Sequence, residues 1–207
     1  MRKIVLLCLV LVLVTGCAPY LQQDITTAIT PDNKEYPDRE SYIKAIGLDK
    51  NPEKPVAVIT AIPYDGVIKS KVFYIAEKKG YLDLCIAKAL KEVIPNVAVY
   101  FDIRPDTIAI YKVNKAFVGA NSLLIKTSNL INPSGKSWFI EIYGNLTTNN
   151  KTIELNGAGA ILGALRWEDN NYCLWNACLD VANQIADVLV KEGYLRADQI
   201  RKAKVEK

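Results

Sequence analysis

The sequence predicts an α+β domain, with a mainly antiparallel sheet and two main helices packed on one face. Two compact β-branched runs, at residues 56–62 and 97–101, flank a segment with helical periodicity. Two alternating segments later meet at an Asn-Asn pair, and a long amphipathic segment closes the domain. Of the 207 residues, 50% are hydrophobic and 23% are charged, which is typical of a globular chain.

The N-terminus has the layout of a signal peptide. Arg2 and Lys3 precede an uncharged apolar run at residues 4–14, which is shorter than the roughly 20 residues of a membrane-spanning helix. The run ends in Val14-Thr15-Gly16-Cys17, which resembles the lipobox of bacterial lipoproteins. The resemblance implies that residues 1–16 are removed and that Cys17 is the lipidation site, as a diacylglyceryl cysteine. An ordinary secretory signal with an incidental cysteine is the alternative.

Lipidation of Cys17 would anchor the protein to a membrane. Each buried methylene contributes about 0.8 kcal/mol, so two or three chains, palmitate among them, give a stable anchor. Ala18 follows the cysteine, whereas enterobacterial lipoproteins retained at the inner membrane often carry Asp there. The resemblance therefore implies the outer membrane, facing the periplasm, in a cell that has one.

Residues 17–54 are predicted to be the lipid anchor and a tether. Four prolines punctuate this polar stretch, with one short helix expected near residues 39–46. Packing of the stretch on the domain is the alternative. The α+β domain is assigned to residues 55–193, and residues 194–207 to a polar basic tail.

The first half of the domain predicts a strand, a helix and a strand. Residues 56–62 form the first strand, which Pro63 ends, and residues 63–80 carry turn signals. Apolar residues recur at spacings of three and four over 81–94, which predicts a helix with one buried face. Residues 97–101 predict the second strand, and the segment that follows is ambiguous between strand and helix.

The second half predicts a three-stranded meander and a closing helix. The strands are expected at residues 122–130, 137–148 and 151–164, the last two joined at Asn149-Asn150 because asparagine tolerates positive φ. Small residues at 157–160 predict a close approach of a helix, with a partner strand as the alternative. The helix is expected at 172–191, with Gly193 as its C-cap.

Three segments give the domain a resemblance to a known type. They are the opening run 56–62, Gly119-Ala120-Asn121-Ser122-Leu123-Leu124-Ile125, and the amphipathic last helix. Over about residues 56–192 the chain resembles the α+β domain of curli-export and penicillin-binding-protein-activator lipoproteins and of the N-terminal part of TolB. The chain departs from this type at residues 63–80, where no family helix is matched, and no functional residue carries over.

The sequence contains no catalytic, cofactor or metal motif. Histidine is absent, which excludes histidine triads and histidine-ligated zinc. The glycine-rich segment 157–163 follows a hairpin instead of opening a βαβ unit, so it does not predict a nucleotide site. The formal net charge is +4, and loss of Arg2 and Lys3 leaves +2, which is too small to indicate nucleic-acid binding.

Cysteine use is compatible with export. Removal of the signal peptide and acylation of Cys17 leave Cys85, Cys173 and Cys178. These thiols are either small buried apolar groups or include one bridge from Cys85 to one of the other two, if their helices pack side by side.

We therefore expect a lipid-anchored envelope protein that binds or assembles other components and is not an enzyme. The expected partners are the membrane and either an envelope protein or a second copy of the chain. One alternative is a cell-wall or lipid hydrolase that uses carboxylates such as Asp102 and Asp106 or Glu168 and Asp169. Another is a small-ligand or lipid-binding module with a cavity beneath the closing helix.

Overall fold

The computed structural model describes residues 34, 36–64, 67–70, 78–79, 81–101, 120–131, 137–148, 151–162 and 169–205. Several sequence predictions lie outside these residues: the signal peptide with Cys17, the ambiguous segment after residue 101, the Asn149-Asn150 turn, and Asp102, Asp106 and Glu168. Among the residues described, no helix is long and apolar enough to cross a membrane.

The described chain combines helices with a sheet, which confirms the α+β class. The helices are α1 (Arg39–Ala45), α2 (Leu82–Val93) and α3 (Asp169–Lys191), followed by a 3₁₀ turn at Ala197–Gln199. The strands are β1 (Ala57–Ala61), β2 (Val67–Ser70), β3 (Lys78–Lys79), β4 (Val97–Phe101), β5 (Ala120–Ile131), β6 (Ser137–Thr147) and β7 (Thr152–Leu162). Strands β2 and β3 were not predicted, because turn signals dominate the region that contains them.

The described strands form one mixed sheet of seven strands. Strand β5 lies at its centre, antiparallel to β6 on one side and parallel to β1 and β2 on the other. Strand β4 continues the sheet parallel to β1, while β3 is antiparallel to β2. The predicted antiparallel character is therefore found in the β5–β6–β7 meander but not between β1 and its neighbours. Helix α2 lies on the crossover from β1 to β4, which accounts for the parallel pairing of those two strands.

Helices α2 and α3 pack against each other and against the sheet around one core. Alternate residues of the inner strands divide between the two sheet faces: Ile59 and Val99 join the core under the helices, while Val58 and Ala98 form a smaller cluster. The predicted apolar face of α3 is buried at Leu174, Ala177, Cys178, Val181, Ile185 and Leu189. Helix α2 is buried on more than its predicted face, because Leu84 and Ala87 also belong to the core.

Helix α3 lies directly on β7 because β7 carries glycine at two contact points. A Cβ on Gly159 would lie 2.5 Å from the backbone nitrogen of Ala177 and would overlap the carbonyl oxygen of Cys173. A Cβ on Gly157 would lie 2.7 Å from the carbonyl oxygen of Ala177. Both distances are shorter than any real Cβ contact, so the helix must move away if either glycine is replaced. This confirms the prediction that a helix packs closely against the small residues at 157–160.

The folded unit is longer than the predicted domain of residues 55–193. In the stretch predicted as a tether, Tyr42 is fully buried and Leu48 is 2% exposed. In the predicted polar tail, Leu195 is buried and the amide of Arg201 donates to the carbonyl of Val93 at 2.7 Å. Among the described residues, both segments therefore contact the core of the domain, and for residues 36–54 this is the packing that was given as the alternative to a tether.

Candidate functional site

A buried ion pair joins the start of α1 to the start of α2. The Asp83 side chain is fully buried, and both of its oxygens accept hydrogen bonds from the Arg39 guanidinium, with Nη1 and Oδ1 2.9 Å apart. The same guanidinium lies over the Phe101 ring, 5.3 Å from its centroid. Two nitrogens of one guanidinium, from a segment 44 residues away, therefore converge on this carboxylate.

Burial raises the pKa of the Asp83 carboxyl above its ordinary value of 3.8, and the Arg39 guanidinium opposes that effect. A raised carboxyl pKa in a protein is one signal of an acid–base catalyst. Here the carboxylate has no exposed surface and its oxygens are already occupied by donors. The arrangement is therefore suited to fastening α1 to the domain and not to reaching a substrate.

Besides the Arg39–Asp83 pair, tyrosine rings and the Cys85 thiol form further contacts between the α1 segment and the start of α2. The Tyr42 ring stacks on Tyr81 with centroids 5.8 Å apart and contacts Tyr36 at 4.6 Å. The Tyr42 hydroxyl and the Cys85 Sγ are 3.5 Å apart, within hydrogen-bond distance for sulfur. We call the group formed by Arg39, Tyr42, Asp83 and Cys85 the α1 anchor point, because it attaches the first described helix to the core.

Side chains of α3 occupy the backbone hydrogen-bonding groups at the β7 edge of the sheet. The Gln184 amide accepts from the Asn156 N–H at 3.1 Å and donates to the Asn156 carbonyl at 2.7 Å. Two residues further along β7, the Asp180 carboxylate accepts a hydrogen bond from the Ala158 N–H at 3.0 Å. An added strand would need these groups, so α3 protects this edge against pairing with another chain.

The opposite edge, at β4, is protected in the same way by one amide. Asn51 accepts from the Val99 N–H at 3.0 Å and donates to the Val99 carbonyl at 3.3 Å. The segment between α1 and β1 is also fixed by Lys91, whose Nζ donates to the carbonyl of Lys50 at 2.6 Å. The β4 and β7 edges are therefore occupied by the protein's own side chains, and strand addition at either of them would have to displace these side chains.

A surface cleft lies between the C-terminal segment and the start of β4. Its volume is about 250 Å³, and it is lined by Val56, Pro95, Asn96, Asp198, Gln199 and Arg201. Cavities that hold organic ligands usually measure about 300–1,000 Å³ and are mostly apolar. The Asp198 carboxylate that faces it is bound by Arg196 Nε at 3.0 Å. These features do not support a ligand site in this cleft.

The structure does not bring the sequence-predicted residues together into one site. Cys85, Cys173 and Cys178 are all buried, and none of the three forms a disulfide. Cys17 and the carboxylates at 102, 106 and 168 lie outside the described residues. Sequence reasoning missed Arg39, Asn51 and Asp83. An acidic residue such as Asp83 in a first helical turn usually indicates only a solvated carboxylate that favours the helix dipole. The spacing of polar residues gives no signal for a partner 44 residues away.

Comparisons with known proteins do not assign the chain to a family. No family model matches the sequence, and no curated protein matches it. One solved structure, described as "Crystal structure of uncharacterized protein", aligns with a TM-score of 0.38 and 9% sequence identity. The alignment covers 70% of this chain and 97% of that chain, and at this TM-score it carries no argument about fold or function.

Proposed function

We propose that this protein is a lipid-anchored envelope protein that acts by binding or assembling other envelope components and not by catalysis. The observation that carries the proposal is the lipobox-like Val14-Thr15-Gly16-Cys17 behind a basic and apolar leader. The α1 anchor point supports it, because α1 is the first described helix after that cysteine. A pull on the chain from the membrane would be transmitted to the core through Arg39 and Asp83.

The distance between the anchor and the domain is limited by chain length. Eighteen residues separate Cys17 from Tyr36, where the described fold begins. A fully extended chain of that length spans at most about 65 Å. We propose that the domain works within this distance of the membrane surface, and Ala18 favours the outer membrane as that surface.

The occupied β4 and β7 edges limit how a partner is expected to bind. A partner that adds a strand at β4 would have to displace Asn51, and one that adds a strand at β7 would have to displace Gln184. We therefore expect recognition through side chains on the faces of the domain. The β6–β7 face away from α3 is polar, with Thr147, Glu154 and Asn156 exposed.

The hydrolase alternative receives no support from the buried carboxylate that the structure describes. A general acid must reach the bond that it protonates, and Asp83 is enclosed and paired. The ligand-binding alternative would require an enclosed apolar cavity, whereas the cleft beside Pro95 is open to the surface and has a mixed polar and apolar lining.

The anchoring part of the proposal is tested by Cys17→Ser in a bacterial host. We expect the parent protein to fractionate with membranes and to give an intact mass equal to residues 17–207 plus acyl groups. The variant should lose the added mass and remain either unprocessed or soluble. Ala18→Ser is the matched control, because it changes the neighbouring residue and keeps the thiol. Unchanged mass and unchanged fractionation of Cys17→Ser would remove the anchoring claim.

A further inference from the structure

The last described residues of the chain cross from α2 to α3. We call residues 200–205 the C-terminal arm, because they follow the 3₁₀ turn and belong to no helix or strand. The Arg201 N–H donates to the Val93 carbonyl at the end of α2, at 2.7 Å. On α3, the Asn183 side-chain amide donates to the Ala203 carbonyl at 2.9 Å and accepts from the Ala203 N–H at 3.2 Å. Both helices therefore hold the backbone of the arm.

The side chains of the arm alternate between the core and the solvent. Ala203 and Val205 are partly buried against the core, whereas Lys202 and Lys204 are exposed. This alternation is typical of an extended segment that lies with one face on a surface. Lys202 Nζ also lies 2.9 Å from a carboxylate oxygen of Asp187 on α3. Together with the amide described above, this carboxylate makes a site on α3 for a basic segment in extended form.

The contacts of the arm allow it to leave α3 while the core stays folded. The chain before it is fixed, because Leu195 is 5% exposed and its N–H donates to the Leu189 carbonyl at 3.1 Å. The Lys202 and Asp187 side chains are 61% and 53% exposed, so water and salt screen their attraction. The cleft of about 250 Å³ beside Arg201 leaves the root of the arm incompletely packed. Segments of this kind at chain ends open at a lower free energy than core helices do.

We propose that the C-terminal arm exchanges between two copies of the chain, so that the arm of each copy binds Asn183 and Asp187 of the other. The structure shows which peptide fits this site, namely residues 200–205, and a second copy carries the same peptide. The exchanged pair uses the contacts that the arm makes within one chain, which makes exchange a low-cost route to a dimer. The cost that remains is the lost translational and rotational freedom of the two copies.

The exchange gives the proposed function a specific partner, a second copy of the chain, and in the cell it rests on that function. Anchoring at Cys17 confines the copies to one surface, which raises their effective concentration. In solution the exchange depends on protein concentration and not on the anchor. Tests on purified protein therefore distinguish a failure of the exchange from a failure of the proposed function.

The experiment uses an equal mixture of normal and isotope-labelled full-length protein, incubated at high concentration in detergent. A carbodiimide then couples the Lys202 amine to the Asp187 carboxylate, which their ion pair at 2.9 Å allows without a spacer. We expect linked peptides in which one half is normal and the other half is labelled, and we expect their share to fall when the mixture is diluted before coupling. Links formed only within one isotope, or no link at all, would overturn the proposal.

Two full-length variants separate arm exchange from other contacts between copies. The first, Asn183→Ala with Asp187→Ala, keeps the arm and lacks the site. The second, Lys202→Glu with Ala203→Pro, keeps the site and lacks a competent arm, because proline has no N–H for Asn183. Native mass spectrometry should show each variant alone as a monomer and their mixture as a complex of the summed mass.

The control adds Ala203→Pro to the first variant, and we expect the mixed complex to be lost. A mixture of the first two variants that stays monomeric, or a complex that persists with the control, would overturn the exchange. The isotope measurement uses the parent protein, so it decides the question even if a variant does not fold.

Discussion

Removal of the Arg39 guanidinium tests whether the α1 anchor point holds the N-terminal segment to the domain. The change is Arg39→Met, which keeps an apolar side chain near the Phe101 ring and removes the positive charge. Asp83 then remains fully buried without its counter-charge. The destabilisation comes from that unpaired carboxylate and not from the lost attraction by itself.

The expected loss is about 3 kcal/mol of unfolding free energy at pH 7. Breaking one side of a buried ion pair usually costs about 3–5 kcal/mol. We place Arg39→Met at the lower end because the Arg39 side chain is 22% exposed, so some water can reach the site. Asp83→Asn in the Arg39→Met background should recover part of the loss, since it removes the buried charge.

The loss should depend on pH in a defined direction. The folded-state pKa of Asp83 is raised above the ordinary 3.8, and removal of Arg39 raises it further. The folded variant therefore binds a proton at Asp83 more tightly than the unfolded chain does. Its loss of unfolding free energy is for that reason present at pH 7 and becomes smaller as the pH falls towards 4.

Urea denaturation at pH 7 and pH 4.5, followed by tryptophan fluorescence, measures both effects. Lys44→Met is the matched control, because it removes a cation from the same helix whose partner Glu40 is exposed. We expect no measurable change for that variant. A loss below about 1 kcal/mol for Arg39→Met, or an equal loss at both pH values, would refute the reasoning from the buried carboxylate.

Two further variants test the packing of the sheet. Gly159→Ala should lower the unfolding free energy by about 2–3 kcal/mol, because the new Cβ meets the backbone of α3. Thermal denaturation measures this loss. The control is Ala158→Gly on the same strand, which should lower the unfolding free energy by about 1 kcal/mol or less. Asn51→Ala should cost about 1 kcal/mol through the lost pairing with Val99 and should also open the β4 edge. Light scattering should then show concentration-dependent association, and a variant that stays monomeric would contradict the edge-protection argument.

The regular elements of the fold could be predicted because each carries a local signal. The helical period over 81–94 and the compact run 97–101 correspond to α2 and β4, with ends that differ by at most one residue. Gly193 has a φ of 79°, as expected for the left-handed residue after a helix. The short helix expected near residues 39–46 is α1.

The parallel arrangement of the sheet and the polar contacts could not be predicted from local patterns. A buried apolar strand has the same sequence pattern whether its neighbours are parallel or antiparallel. Nothing in residues 57–61 therefore predicts that β1 pairs in parallel with β4 and β5. The Arg39–Asp83 pair joins residues 44 positions apart, and the Asn51–Val99 pair joins residues 48 apart. Such contacts exist only after the chain has folded. The prolines and polar residues of 17–54 could therefore not decide between a free tether and a segment that packs on the domain.

The central claim is that an anchored, non-catalytic domain contacts another envelope component. The most direct measurement is chemical cross-linking in intact envelopes, followed by purification of the full-length protein and of Cys17→Ser under identical conditions. The account predicts a discrete cross-linked species, with another envelope protein or with a second copy of the chain, that disappears in the variant. No cross-linked species with the anchored protein, or the same species in equal amount with Cys17→Ser, would contradict the account.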